Sequence, residues 1–453
     1  MPYDFNQRRA GVLLHPTSLP SGTLYDGALW LDFLEASGLS VWQVLPLGVP
    51  QDDLSPYQCL SAFAVNPALL HRPEPLEAGS GPFQAWCHEQ AWWLEDYALF
   101  RCIKAREGGR AWFQWPGELK WRHADALQQV AREEAGTLAA LKWEQYQLWR
   151  QWQRIRDEAH RRNIRLFGDM PLFVAHDSAD VWACPKRFLL DEEGQPTWVA
   201  GVPPDYFSET GQRWGNPHYD WDYHQREGFC WWLDRMRHHL EWFDLVRIDH
   251  FRGLQAVWMI DAKAETAEEG HWQEVPGDAL LARLRDELGS LPLVAEDLGT
   301  ITPEVRALKE KYGLPGMAIL QFAFDHFEDN PNKPHNIGPG TVVYTGTHDN
   351  DTTRGWFEAL PPAMQAHVRA MLGIGEEGDV VEAMIRTAFH TQANLAVIPL
   401  QDFLGLGSEA RMNVPGTVEG NWRWRFRWEQ LAPPGLTDHI RDLVVDSNRA
   451  VPS

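Results

Sequence analysis

The stretch that decides the fold is "DLVRIDHFRG", residues 244–253, which has the composition of a buried β-strand yet carries charge inside it. Side chains alternate between the two faces of a strand, so one face is predicted to carry Leu245, Arg247 and Asp249. A buried charge costs free energy unless it is paired. The pair on this face is compatible with a structural ion pair, or with an arginine that keeps a catalytic carboxylate ionised, and this stretch alone leaves both open.

Seven further apolar runs accompany this one along the chain, and helical patterns such as "ALLARLRDELGS" lie between several of them. Near-continuous apolar runs are typical of parallel strands that are buried on both faces. We therefore predict an α/β protein with a (β/α)8 TIM barrel, and a doubly wound sheet is the structural alternative. The predicted strands are "GVLLH" (11–15), "VWQVLPL" (41–47), "IRLFGDMPLF" (164–173), "DLVRIDHF" (244–251), "LPLVAEDLG" (291–299), "GMAILQF" (316–322), "TVVYTGTH" (341–348) and "LAVIPL" (395–400).

Two gaps between predicted strands are too long for a single helix. We expect residues 1–453 to form one catalytic barrel domain with insertion subdomains after strands 2 and 3. Residues 52–163 are predicted to be a largely helical insertion. Residues 174–243, which are rich in turn residues, are predicted to be a loop-rich insertion that covers the active site.

Composition limits the classes of binding partner and the cellular compartment that we expect for this protein. A formal net charge of −22, without a basic run, argues against duplex nucleic acid and anionic membranes as partners. Five cysteines without a CxxC pair indicate free thiols in a reducing compartment. The N-terminus has no signal peptide pattern and no apolar segment reaches membrane-spanning length, so we expect a cytoplasmic protein. The 24 Trp residues fit either core packing or stacking on sugar rings.

Polar side chains follow several of the predicted strands, at the end of a barrel where active sites lie. Carboxylates that are held close together repel one another, so their clustering indicates a function. The two candidates are metal binding and catalysis on a sugar. No HExxH motif is present, and we favour sugar chemistry without a metal or cofactor. The strand-end residues are Asp169, Asp249, Glu296, Asp297, His348, Asp349 and Asp402.

Asp249 and Glu296 end adjacent predicted strands, which lie about 4.8 Å apart in a sheet. Retaining glycosidases need two carboxyl groups about 5–5.5 Å apart, so the spacing fits such a pair. Arg247 favours the ionised form of Asp249, which predicts the nucleophile, and Glu296 is predicted to be the general acid/base. Asp349 is then left to hold sugar hydroxyls. Asp297 alternates to the opposite face and is predicted to be structural.

Nine motifs, in order along the chain, resemble the 4-α-glucanotransferases, the amylomaltase or disproportionating-enzyme family related to the α-amylases. They are "GVLLHPTSLPSG" (11–22), "WQVLPLG" (42–48), "SPYQCLSAFAVNP" (55–67), "GDMPLFVAHDSADVW" (168–182), "AGVPPDYFSETGQRWGNPHYDW" (200–221), "VRIDHFRG" (246–253), "AEDLG" (295–299), "YTGTHDNDTT" (344–353) and "RMNVPGTVEGNWRWR" (411–425). The chain departs from the pattern at "TLYDGALW", at "QDDL" (51–54) and at Cys59 and Val65, which bears on donor-side loop shape.

The resemblance implies a (β/α)8 barrel with insertion subdomains and a retaining mechanism without metal or cofactor. It also implies catalytic roles for the same three carboxylates: Asp249 as nucleophile, Glu296 as acid/base and Asp349 as transition-state carboxylate. The substrate-binding residues it implies are Arg247, His348, Tyr57 and Asp169 on the donor side, and Tyr206, Phe207 and Trp214 in a mobile loop on the acceptor side. Asn421 falls in a matching motif to which we assign a structural role.

The predicted function is transfer of α-1,4-glucan segments between maltooligosaccharides, with the oligomeric state left open. An α-amylase-type glucan hydrolase on the same barrel is one alternative. A catalytically silent glucan-binding protein is another, although a binding module would not need all of Asp249, Glu296 and Asp349. The segment 200–221, which could cover the acceptor side, favours the transferase over the hydrolase.

Overall fold

The computed structural model describes residues 4–205 and 208–451, so the predicted site residues Tyr206 and Phe207 lie outside the described residues. Eight parallel strands form the centre of the structure. Each lies within or overlaps one of the eight apolar runs predicted from the sequence. They are β1 (Arg9–Leu13), β2 (Val41–Gln43), β3 (Arg165–Pro171), β4 (Leu245–Asp249), β5 (Leu293–Ala295), β6 (Gly316–Ile319), β7 (Thr341–Tyr344) and β8 (Leu395–Pro399).

These strands pair in the order β6-β7-β8-β1-β2-β3-β4-β5. Between the two ends of this series, the backbone N–H of Ala295 donates to the carbonyl of Pro315 at 2.8 Å, which joins β5 to the start of β6. Every strand therefore neighbours the next one along the chain. This order confirms the predicted (β/α)8 barrel and excludes the doubly wound sheet, whose strand order reverses.

The barrel interior contains the alternate residues of its strands. Leu245 lies in this inner cluster, whereas Val246 and Ile248 belong to the outer core between strands and helices. The alternation predicted from residues 244–253 is therefore confirmed, and Arg247 lies on the inner face. The inner cluster comprises Leu13, Val41, Leu45, Phe167, Leu245, Val294, Met317, Ile319, Val342, Tyr344, Leu395, Val397 and Met412.

Helices surround the barrel, and those between β2 and β3 lie between Gly81 and Arg161, within the predicted insertion at residues 52–163. None of the described helices combines the length and the apolar composition needed to cross a membrane. All five cysteines are free. The helices span Gly27–Ala36, Gly81–Glu89, Ala91–Arg106, Gly117–Lys120, Ala124–Glu133, Ala135–Arg161, Ala179–Ala183, Trp221–Arg226, Cys230–Trp242, Gly277–Leu288, Pro303–Lys311, Thr353–Ala359, Pro362–Leu372, Val380–His390, Leu400–Phe403 and Leu436–Asp446.

A second, antiparallel sheet was not expected from the sequence. Its strands pair in the order Gln212–Pro217, Trp198–Val202, Ala256–Asp261 and Gly270–Glu274. The first two fall within residues 174–243, but the last two follow β4, where no insertion was predicted. The edge strand Gly270–Glu274 is exposed along its whole length, so it lacks the apolar alternation by which strands are recognised.

Gly168 on β3 provides a test of the packing between the barrel and its outer layer. A Cβ atom at this position would lie 2.2 Å from a ring carbon of Phe243, so Gly168→Ala forces a shift in the packed layer. We expect the free energy of unfolding to fall by about 1–3 kcal/mol in denaturant titration. The matched control is Gly136→Ala, an exposed helical position with no atom near the new methyl group, which should be neutral or stabilising by up to ~1 kcal/mol. Equal stability of the two variants would contradict the tight packing at Gly168.

Candidate active site

A buried arginine organises the carboxyl ends of β3 and β4. The strand register places Asp169 beside Arg247 and Pro171 beside Asp249. The Arg247 guanidinium donates from Nη1 to Asp169 Oδ2 at 2.7 Å and from Nη2 to Asp249 Oδ1 at 2.8 Å. The hydroxyl of Tyr57 also donates to Asp169 Oδ2, at 2.6 Å. Four of the predicted site residues are therefore joined in one hydrogen-bonded series.

The pKa of Asp249 reflects competing neighbours. Burial raises it most, Arg247 lowers it, and Asp169, Glu296 and Asp349 raise it further, with a net value of about 7. Arg247 thus acts in the predicted direction, but burial and the surrounding carboxylates outweigh it. The Asp249 side chain is nevertheless 30% exposed, whereas that of Asp169 is fully buried. The carboxylate that faces the cleft is therefore Asp249, and Asp169 lies behind it.

Glu296 follows β5, the strand beside β4. Its Oε2 accepts the backbone N–H of His250 and its Oε1 accepts the backbone N–H of Leu298, each at 2.8 Å. Burial raises the pKa of Glu296, and Arg247 together with the two backbone donors limits the rise. A raised pKa is the direction that a proton donor requires.

His348 and Asp349 follow β7, and His348 reaches Tyr57 of the arginine series. The His348 ring stacks on Tyr57 with 5.3 Å between ring centroids and 14° between planes. Burial lowers the pKa of His348, against the opposing influence of Asp349, so the imidazole is neutral at pH 7. The Asp349 side chain is 48% exposed. Its Oδ1 accepts the side-chain amide of Asn413 at 2.7 Å.

Trp214 belongs to the strand Gln212–Pro217 of the second sheet and reaches the end of β4. Its ring meets the His250 ring edge-on at 4.8 Å. His250 has a left-handed backbone, with φ of 56° and ψ of 49°, a conformation that is uncommon outside glycine. The same residue therefore contacts Trp214 with its ring and donates to Glu296 with its backbone N–H.

Two strand-end carboxylates are structural. Asp297 pairs with Lys309 at 2.6 Å and accepts the backbone N–H of Met317, as its position on the opposite face predicted. Asp402 is buried and accepts from the hydroxyls of Thr345 and Thr353, each at 2.6 Å, and from the Thr353 backbone. The sequence had grouped Asp402 with the other strand-end carboxylates. Its oxygens instead hold the loop after β7 to the end of β8.

A pocket lies beside this site, between the loop at residues 56–65 and the helix Cys230–Trp242. Tyr57 and Asp169 are the predicted site residues that line it, and Cys59 and Val65 line it too. Asp249, Glu296 and Asp349 are not among the residues that line this pocket, and the side chains of Asp249 and Asp349 are 30% and 48% exposed. Cys59 and Val65, two of the departures from the family pattern, thus lie close to Tyr57 and Asp169, the predicted donor-side residues.

Sequence reasoning missed the groups that hold the carboxylates. Asn413 lies 64 positions from Asp349, and no local pattern relates the two. The donors to Glu296 are backbone N–H groups, which no side-chain motif reveals. Within residues 4–205 and 208–451, no group of three or more His, Cys, Asp or Glu side chains is arranged to hold a metal ion.

A closed parallel barrel with Asp249, Glu296 and Asp349 at the ends of its strands is typical of enzymes that act on glycosidic bonds. Comparison with known proteins identifies the class more closely. A family model described as 4-alpha-glucanotransferase matches residues 13–77 and 71–431. The 4-alpha-glucanotransferase of Thermus thermophilus is 46% identical over 485 residues, covering 94% of this chain and 96% of that protein. The Synechocystis 4-alpha-glucanotransferase is 43% identical, with 94% and 95% covered.

A solved structure agrees with the sequence relatives. The amylomaltase from Streptococcus agalactiae, in complex with acarbose, superimposes with a TM-score of 0.93 at 33% sequence identity and covers 98% of this chain and 100% of its own. The chain therefore belongs to the 4-α-glucanotransferase family. It is an enzyme, and its class is that of the transferases.

The raised pKa of Asp249 predicts how stability depends on pH. A carboxyl group with a higher pKa in the folded chain binds more protons when folded, so the free energy of unfolding falls as pH rises from about 4 to about 7. Asp249→Asn cannot titrate and escapes this loss. We expect its free energy of unfolding, relative to the unmutated protein, to rise across this window by ~1–2 kcal/mol after allowance for partial exposure. Thermal unfolding at several pH values measures the difference, and a constant difference would show that Asp249 titrates in its ordinary range.

Proposed function

We propose that this enzyme transfers segments of α-1,4-glucan between maltooligosaccharides by a retaining double displacement. The observation that carries the proposal is the paired arrangement at the ends of β4 and β5. Asp249 is ion-paired with Arg247. Glu296, at the end of the adjacent strand, accepts hydrogen bonds from two backbone N–H groups. Two carboxyl groups with different environments on neighbouring strands are what a retaining nucleophile and acid/base require.

In the first step, an Asp249 oxygen attacks the anomeric carbon of the donor glucan and the glycosidic C–O bond breaks. Glu296 gives its proton to the departing oxygen, which leaves a covalent glycosyl-Asp249 intermediate. In the second step, Glu296 removes the proton from the 4-hydroxyl of an acceptor sugar. That oxygen attacks the anomeric carbon, the bond to Asp249 breaks, and the net configuration is retained.

The other residues of the cleft are assigned to binding the sugar. Asp349 carries a negative charge beside the ring, where it accepts hydrogen bonds from sugar hydroxyls and stabilises the positive charge that develops on the anomeric carbon. Arg247 and the neutral His348 donate hydrogen bonds on the donor side, and the Tyr57–His348 stack forms a wall of the site. Asp169 acts mainly by holding Arg247 and Tyr57 in place.

Water competes with the acceptor for the covalent intermediate. Its concentration is about 55 M, whereas a well-positioned group reaches an effective molarity of 10⁵ M or more by order of magnitude. Transfer therefore requires an acceptor site that is preorganised and covered. We assign this cover to residues 200–221, which include Trp214 beside His250 and the predicted loop residues Tyr206 and Phe207.

Incubation with maltotriose alone tests the function. A transferase should produce glucose together with a ladder of longer maltooligosaccharides, and the number of reducing ends should stay nearly constant because each transfer breaks one glycosidic bond and forms another. Product chromatography and a reducing-end assay measure the two quantities. A steady rise in reducing ends, with maltose and glucose as the final products, would identify a hydrolase on the same barrel and overturn the proposal.

Trp214→Ala tests the assignment of the acceptor cover. Removal of the indole should expose the intermediate to water, so the ratio of hydrolysis to transfer should rise about 3- to 10-fold while total turnover falls less. The ratio is measured from reducing ends and glucose released from maltotriose. Trp272→Ala, on the exposed edge strand of the same sheet, is the matched control and should leave the ratio unchanged. An unchanged ratio in Trp214→Ala would remove this residue from the acceptor site.

A further inference from the structure

The motif "RMNVPGTVEGNWRWR" at residues 411–425 has no part in the mechanism above, yet its Asn413 contacts a proposed catalytic group. We infer that Asn413 is the positioning residue for Asp349, and that the loop at residues 412–422 exists to hold it there. This inference rests on the proposed role of Asp349. It assigns to the loop a task in the chemical step, beyond the structural role expected for Asn421.

The contact is short and directed. Asn413 Nδ2 donates to Asp349 Oδ1 at 2.7 Å, while the other carboxylate oxygen lies 3.4 Å from His348 Nε2. The Asp349 side chain is half exposed, so without such a partner it would be free to change rotamer. The amide leaves Oδ2 directed toward the imidazole and the cleft. One donor therefore selects the orientation of the carboxylate that faces the sugar.

The chemistry of the donor matters as much as its position. A lysine or arginine at this place would fix the carboxylate too, but it would also cancel the negative charge that stabilises an oxocarbenium-like transition state. A neutral amide fixes the group and preserves its charge. The nearest arginine, Arg411, donates from Nη2 to the backbone carbonyl of Asp349 at 2.8 Å instead of to its carboxylate. Arg411 Nε also donates to the carbonyl of Asn413, at 2.7 Å.

Arg411 therefore joins the backbones of the two residues that form the contact. The loop that carries Asn413 is closed at its base, where the Trp422 N–H donates to the Met412 carbonyl at 2.8 Å. Within the loop, the buried Asn421 accepts the Val414 N–H at 2.9 Å and donates to the Thr417 carbonyl at 2.9 Å. This network fixes the backbone next to Asn413. The position of its amide is thus determined by the loop and does not depend on Asp349 alone.

Asn413→Ala tests the inference with a glucosyl or maltosyl fluoride as donor, since fluoride release reports formation of the glycosyl-enzyme whether water or a sugar accepts it. We expect kcat to fall about 10- to 100-fold with KM changed less than about 3-fold, because a misplaced carboxylate weakens the transition state more than the ground state. Asn413→Asp is isosteric but places a second negative charge against Asp349, so its kcat should be lower than that of Asn413→Ala. Val418→Ala, at an exposed position in the same loop, is the matched control and should retain full activity.

A double-mutant cycle separates positioning from general damage to the loop. In an Asp349→Ala background, Asn413→Ala should cost less than about 2-fold, because its only target is already gone. An equal loss in both backgrounds, or an Asn413→Asp variant as active as the unmutated enzyme, would overturn the inference. The result of the cycle does not depend on whether the enzyme is a transferase or a hydrolase, so it is independent of the maltotriose experiment. Hydrolysis of maltotriose without transfer would defeat the proposed function and leave the role of Asn413 standing.

Discussion

The site depends on one buried cation. Arg247 is held between Asp169 and Asp249, with 6% of its side chain exposed. Burial disfavours its charge, yet Asp169 and Asp249, together with Tyr57 and Glu296, outweigh that effect and raise its pKa. The contact exists because β3 and β4 pair with Asp169 opposite Arg247, and that register is fixed by the apolar residues Phe167 and Leu245 inside the barrel. A shift of one residue in either strand would move its charged side chain to the outer face, into the apolar core between strands and helices. The register of β3 and β4 therefore determines both the packing inside the barrel and the ion pairs of the active site.

The charge count of the cleft explains its titration behaviour. Asp169, Asp249, Glu296 and Asp349 surround a single guanidinium, so the site has more negative than positive charge. Such a surplus raises the pKa of Asp249, and it costs stability in the free enzyme. A sugar that acquires positive charge at its anomeric carbon would relieve this repulsion. The electrostatic cost at rest is thus matched to the charge that the proposed transition state brings.

Much of this arrangement follows from sequence pattern, and the remainder has identifiable physical reasons. Buried parallel strands are recognisable because they are near-continuous apolar runs. The alternation of side chains along β4 places Leu245 and Arg247 on the inner face, as observed. The second sheet was missed because its edge strand, Gly270–Glu274, is exposed at every position and shows no buried apolar alternation. Asn413 was missed because a long-range contact leaves no periodic trace. The left-handed backbone of His250, which aims its N–H at Glu296, depends on the fold around it and not on its residue type.

Asp402 shows that a position at the end of a barrel strand is not enough to identify a catalytic carboxylate. It follows β8 as Asp249 ends β4, and from sequence the two carboxylates are equivalent. In the structure Asp402 is buried with both oxygens bound to Thr345 and Thr353, whereas Asp249 is paired through one oxygen and keeps 30% of its side chain open to the cleft. Asp349 is more open still and is held by a neutral amide. Asp402 is closed to substrate by its burial as well as by its hydrogen bonds. Asp249 and Asp349 are each oriented through one oxygen and stay open to the cleft. Glu296 accepts backbone N–H groups with both oxygens but is not fully buried, so exposure together with the surrounding donors separates these three residues from Asp402.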